Sequence, residues 1–279
     1  MAPYTGEGLA GCSTEHAVTL TVRDTAALLD ATAGAGPGDP YVAPAPARSF
    51  LAEVQAERRP LRIAYTTAAP NGAPVEEEYL KALAETVVLC KDLGHRVEEA
   101  DPEIDRASVV PTFLTFAAAN MVVNLASHPT AGRSARKGEV ENATWGTAQK
   151  GEQISAADYV RATQAAHKLG RQMAAFHASY DVLLTPGLGM LPPKLGWIDM
   201  MLEDVDEYWR RVFTFSPFTV WFNLTGQPAL MLPLGRSVSG FPIAVQLAGR
   251  FGDEGTILSL GAQLEKARPW INKRPTVAP

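Results

Sequence analysis

Apolar and polar positions alternate along this chain with two different periods. Over Thr21–Ala33 (TVRDTAALLDATA), Val22, Ala26, Leu29 and Ala33 share one side of a 3.6-residue turn, which predicts an amphipathic helix. Thr21 suits its N-cap, Asp24 its first turn and Gly34 its end. Residues 34–47, GAGPGDPYVAPAPA, are dense in Gly and Pro and read as an extended connector. Leu61–Tyr65 (LRIAY) is a short strand. Pro74 opens a long helix with three glutamates in its first turn and Gly94 behind its end, and Arg96–Glu99 is a second strand. Strand, helix, strand at this spacing predicts a parallel βαβ unit.

The middle of the chain reads as helical. Ala107–Ala126 is alanine-rich and apolar, residues 129–153 are polar and glycine-dotted, and Ser155 with Asp158 three residues on marks the start of another helix. Asp181–Leu184 is a buried strand that stops at Thr185-Pro186. Ala229–Leu234 and Ile243–Ala248, joined by the polar turn Arg236–Gly240, predict an antiparallel hairpin. Asp253 caps a last helix that places Ile257, Leu260 and Leu264 on one face. The expected class is therefore α/β, a mixed sheet flanked by helices. One unit is expected over residues 1–267, with a loose tail at 268–279.

Composition narrows the function. The chain has 279 residues, 46% hydrophobic and 20% charged, which excludes a disordered polymer and permits a sizeable core. Lys+Arg is 25 against Asp+Glu 30, so no basic excess supports nucleic-acid binding. No apolar run reaches 18 residues, and residues 1–20 lack the basic start and apolar stretch of a secretion signal. The two cysteines, Cys12 and Cys90, cannot build a disulfide framework and fit reduced thiols in a cytoplasmic protein.

Motifs for independent chemistry are weak. Gly34-x-Gly36-x-Gly38 follows a helix and precedes Asp39-Pro40, the reverse of a phosphate loop. Gly235-Arg-Ser237-Val-Ser239-Gly240 sits in a hairpin turn, where no serine is presented as a nucleophile. His16, His95, His128, His167 and His177 show no zinc-protease spacing, and Glu76–Glu78 and Asp204/Asp206/Glu207 read as helix-start charges. No metal and no cofactor is expected.

Three blocks nevertheless carry a resemblance. They are EHAVTLTVRDTAALLDATAG…PGDPY (residues 15–41), YDVLLTPGLGMLPPKLG (180–196) and FNLTGQPALMLPLG…GFPIAVQLAGRFGDEGTILSLGAQLE (222–265). Together, in this order, the chain resembles the amidase signature family, with a leaning toward the 6-aminohexanoate-cyclic-dimer hydrolases. The resemblance implies hydrolysis of carboxamide C–N bonds by a serine nucleophile, a second serine in a cis peptide linkage and a lysine, with backbone amides around the oxyanion. In the family those groups lie upstream, in a lysine segment and a G-G-S-S-G-G loop. This chain contains no Gly-Gly pair, and only fourteen residues precede Glu15. The expectation is a C-terminal portion of an amidase with no catalytic residue of its own, inactive alone. Its partners are then the N-terminal half, in cis or in trans, and a small-molecule amide.

The substrate-wall candidates are Thr185, Pro186 and Gly187 at a strand end, Asn120, Asn124 and Trp145 in the middle, and Phe222, Asn223 and Gln227 in the third block. Lys81, Lys91 and Lys168 read as solvated helix charges. A portion of a larger sheet is expected to leave a strand edge open and the faces Val22–Leu29 and Val87–Leu93 half covered, favouring aggregation or a homo-oligomer. A non-catalytic binding protein derived from an amidase is the alternative.

Overall fold

The computed structural model describes residues 7–56, 59–126 and 133–273. His128, residues 129–132 of the polar middle stretch and residues 274–279 of the tail lie outside the described residues.

The chain enters through helices α1 (Val22–Thr32) and α2 (Phe50–Gln55). Thr21 caps α1 as expected, its side chain accepting from the Asp24 amide at 3.1 Å. Asp30 on α1 in turn accepts from the first amides of α2, Phe50 at 2.7 Å and Leu51 at 2.9 Å. Strand β1 (Arg62–Tyr65), helix α3 (Glu77–Asp92) and strand β2 (Arg96–Glu99) form the βαβ unit, and β1 and β2 pair in parallel. Helices α4 (Arg106–Ala126), α5 (Asn142–Gly151) and α6 (Ala156–Ser179) follow. Ser155 and Asp158 make the reciprocal capping box that their spacing predicts.

Strand β3 (Val182–Pro186) returns beside β1, also in parallel. After α7 (Val205–Phe215) and α8 (Val220–Thr225) come the antiparallel strands β4 (Ala229–Arg236) and β5 (Pro242–Gly249), then α9 (Glu254–Ala267). β5 pairs antiparallel with β3, so the sheet runs β2-β1-β3-β5-β4 and changes from parallel to antiparallel at β3. The mixed sheet expected from the sequence is present.

Side-chain alternation across the sheet makes two cores. Ile63, Val182, Leu184, Val245 and Leu247 face one side, where α1, α2, α3 and α9 cover them. Ala64, Leu183 and Ala248 face the other, under α4, α6, α7 and α8. The faces expected to be half covered are covered over most of their length: Val22, Ala26, Val87 and Cys90 are buried in the first core, while Leu29 is half-buried and Leu93 is exposed. The reason is that α2 and α9 pack on α1, and the sheet and α9 pack on α3, within this chain. Part of the stretch expected to be loose is also tied down. Arg268 donates to Leu234 O at 2.9 Å and pairs with Glu85, and the Trp270 indole donates to Leu20 O at 2.9 Å.

The open edge is real. β4 has β5 on one side only, and a cavity of ≈ 370 Å³ runs along its free side, walled by Thr19–Val22, Leu230–Pro233 and Trp270. Met231 on this edge is 39% exposed.

α4 is the one described helix whose length and apolar content would let it cross a membrane. Here it packs against α5 and α6 and buries Phe116, Ala117 and Ala118. It passes close to Gly151, where a Cβ would lie 2.2 Å from the Ala118 carbonyl oxygen.

At the start of β3 sits a buried carboxylate, Asp181, only 1% exposed. It accepts from the Arg62 amide at 2.7 Å and from Arg250 Nη2 at 2.7 Å, with Arg59 at 3.5 Å. Arg250 Nε also donates to His177 O at 2.9 Å. One carboxylate thus joins the beginnings of β1 and β3, the end of α6 and the loop after β5. Burial alone would raise its pKa. The Arg62 amide and the Arg250 guanidinium more than offset that and hold it below the usual carboxylate range.

Candidate substrate-wall site

The nine candidate residues fall in separate places. Thr185 is fully buried and accepts from Gln246 Nε2 at 3.1 Å, which also donates to Phe218 O. Pro186 is paired with Val245 in the sheet, and the Gly187 amide donates to Ala244 O at 2.9 Å. A Cβ on Gly187 would come within 2.7 Å of that oxygen, so the glycine serves the close approach of two strands. Asn120 donates to Phe116 O one turn back on α4, and Asn124 is exposed on the same helix. Trp145 lines a small cavity of ≈ 140 Å³ between α4 and α5, its indole N–H buried without a partner among the described residues. Phe222 is buried in the second core beside Trp221, and buried Gln227 accepts from the Thr225 hydroxyl.

Only Asn223 of the nine reaches a cavity of ligand size. This cavity, of ≈ 380 Å³, lies between the Leu9–Thr14 segment, α4, α7 and α8. Its aromatic wall is Phe113, Trp209 and Phe213. Trp209 stacks on Phe213 at 5.7 Å, and Phe113 meets both rings edge-on. The Trp209 indole donates to Thr147 Oγ1 at 3.0 Å, which fixes the ring.

Helix periodicity puts these groups here. Trp209, Val212 and Phe213 follow an i, i+3, i+4 pattern on α7, and Ser216 continues the stripe at i+7 just past the helix end. The charged residues of α7 lie on other faces. Glu207 pairs with Arg210 and Arg211 at 2.6 Å each, and Asp206 pairs with Lys150. Asp206 and Arg210 line a neighbouring cavity of ≈ 590 Å³ across the Trp209–Phe213 wall.

The opposite wall is strained. Leu9, Ala10 and Gly11 all hold positive φ (53°, 54° and 80°), which costs a side-chain-bearing residue of order 1–2 kcal/mol. The turn is closed by Gly11 and Ser13 amides donating to Gly8 O and by the Cys12 amide donating to Leu9 O. Asn223 clamps it from α8: Nδ2 donates to Cys12 O at 2.9 Å and approaches Thr14 Oγ1 at 3.3 Å. The Cys12 thiol is buried, and burial, helped by the nearby Glu7 charge, pushes it up to about 11. It is therefore a neutral thiol at pH 7, a poor nucleophile. Among the described lining residues there is no lysine, histidine or carboxylate, so the cavity as built can bind and orient but holds no serine–base pair. Sequence reasoning missed Phe113, Trp209 and Thr219. The stripe on α7 was the available signal.

The fold has known relatives. The Amidase family model matches residues 9–258, and the chain belongs to the amidase signature family. Among curated relatives, it is similar to the 6-aminohexanoate-cyclic-dimer hydrolase of Pseudomonas sp. (strain NK87), 29% identical over 96% of this chain and 56% of that protein. It is also similar to the putative amidase AmiB2 of Mycobacterium tuberculosis (strain ATCC 25618 / H37Rv), 32% identical over 96% of this chain and 55% of that protein. A solved 6-aminohexanoate cyclic dimer hydrolase superposes with a TM-score of 0.85 at 28% identity, over 92% of this chain and 55% of that one. The chain spans a little over half the length of these relatives.

Proposed function

We propose that the protein takes part in hydrolysis of carboxamide C–N bonds and supplies the wall that shapes the substrate pocket. The serine nucleophile, its cis-linked serine partner and the lysine come, on this reading, from polypeptide corresponding to the rest of the relatives' length. A single observation carries it: a chain matched to the amidase family over residues 9–258 has a ligand-sized cavity yet no Gly-Gly pair anywhere in its sequence. The substrate class, a linear or cyclic amide, follows from the relatives' names. Two unpaired, buried thiols fit action in the reducing cytoplasm.

The test is complementation. The purified chain is assayed on simple amides alone, then after co-expression with a polypeptide carrying the lysine segment and G-G-S-S-G-G loop of a relative. The expected result is no turnover alone and turnover with the added part. Turnover by the chain alone, with a serine-directed phosphonate labelling one of its own serines, refutes the division of labour. A folded complex that binds ligand and never hydrolyses favours a non-catalytic binding protein.

A further inference from the structure

The head of β1 is pinned on both flanks by titratable side chains. Leu61 donates its amide to His95 Nδ1 at 3.2 Å, and Arg62 donates to the Asp181 carboxylate at 2.7 Å on the opposite side. Each acceptor belongs to the residue just before the neighbouring strand, β2 from Arg96 and β3 from Val182. Backbone bonds beside them run the other way, from the Arg96 amide to Leu61 O at 2.9 Å and from the Asp181 amide to Arg62 O at 2.8 Å. A backbone N–H only donates, so His95 Nδ1 holds a lone pair and the ring is the neutral Nε2–H tautomer. Leu61 and His95 are both buried, so this bond is shut away from bulk water.

Little around the ring favours a charge. Burial holds His95 below the ordinary imidazole value, and the Gln263 side chain of α9, which acts the other way, does not offset it. The Nε2 atom is buried without a hydrogen bond among the described residues. Charged side chains on the surrounding elements are Lys91 and Asp92 at the end of α3, Arg62 on β1, Arg96 on β2 and Lys266 on α9. They are exposed or half-buried, and none of them acts on the imidazole. The buried Cys90 thiol of α3 is pushed up to about 12 by its surroundings and stays neutral.

We propose that His95 is a pH-sensitive clasp on the sheet. Neutral, it ties Leu61 to the turn between α3 and β2. Protonated, it sets an N–H against an N–H, lets Leu61 go and loosens β2, a four-residue strand with β1 on one side only. A buried neutral imidazole takes up its proton less readily than an unfolded one. The clasp is therefore complete above about pH 6.5 and weakens as pH falls through that value toward the lower, folded one. Asp181 on the other flank is held below the usual carboxylate range and keeps its charge there, so the β3 side stays closed. The clasp is independent of any hydrolytic role.

The test is hydrogen exchange of the full chain, read by NMR at the Leu61 and Arg62 amides between about pH 7.5 and 5 and corrected for the intrinsic rate. Leu61 protection is expected to fall by up to about tenfold per pH unit below about pH 6.5, while Arg62 protection holds. Asn places its Oδ1 where the ring has Nδ1 and does not titrate. His95→Asn is therefore expected to keep Leu61 protected and to abolish the pH dependence. His95→Phe keeps a ring without an acceptor and is expected to leave Leu61 poorly protected at every pH. His177, also buried and held below the ordinary value, is present in wild type and variants alike, so its protons cancel in the comparison. The His95 imidazole in the wild-type chain is expected to titrate below about 6.5, a measurement that needs no variant to fold. Corrected Leu61 protection that is flat with pH, parallel loss at Arg62, unchanged pH dependence in His95→Asn, or an imidazole titrating at or above the ordinary value overturns the proposal.

Discussion

Removing the Asp181 carboxylate is expected to destabilise the fold by about 3 kcal/mol. In Asp181→Ala the Arg62 amide at the head of β1 loses its acceptor, and an unsatisfied backbone donor costs about 1–3 kcal/mol. Arg250 loses its 2.7 Å partner. Breaking a buried pair costs about 3–5 kcal/mol, but Arg250 is 32% exposed and water can reach it, so its share is well below that range. At about 2–4 °C per kcal/mol for a chain of this size, Tm falls by about 6–12 °C. The pH dependence has a fixed sign. The folded carboxyl titrates below its unfolded value of about 3.9, so its contribution is complete above that value and disappears as pH falls through the lower, folded one. Urea denaturation of wild type and variant is therefore expected to differ fully at pH 7 and to converge below about pH 4. A difference under about 1 kcal/mol at pH 7, or one that widens on acidification, refutes the argument.

Two other perturbations follow from the packing. Gly151→Ala forces a methyl against the Ala118 carbonyl, so α4 and α5 must separate, and a loss of about 2 kcal/mol is expected in thermal melts; an unchanged Tm contradicts the crossing described. The free side of β4 predicts self-association of the isolated chain, measurable by light scattering across a concentration series, and Met231→Lys on that edge is expected to reduce it. A wild-type chain that stays monomeric at every concentration sinks that expectation.

The sequence made the local units legible and the assembled cavity illegible. Ser155 with Asp158, Thr21 with Asp24, and the β4–β5 hairpin are all written within a few residues, and each forms as its spacing predicts. Thr185 looked like a strand-end ligand group, but its hydroxyl points into the sheet layer toward Gln246, a contact 61 residues away in the chain. Phe222 and Asn223 are neighbours, yet one turns into the core and the other to the cavity, a difference of one step around a short helix. The cavity wall draws on four separate stretches, and no window of sequence contains them. The helix faces around Val22 and Val87 are unreadable for the same reason, because their cover includes α9 for both and the β4–β5 strands for the second, all far along the chain.

The position of β3 has a consequence for synthesis. It is the central strand, yet its carboxylate anchor meets the Arg62 amide across 119 residues of chain. A ribosome therefore releases the β1–α3–β2 unit long before its neighbour exists, and that unit waits with a bare apolar border while three helices are made. The final hairpin and α9 assemble quickly from adjacent residues and then lock β3 from its other side. Until β3 emerges, the edge of β1 that it pairs with has no strand to cover it.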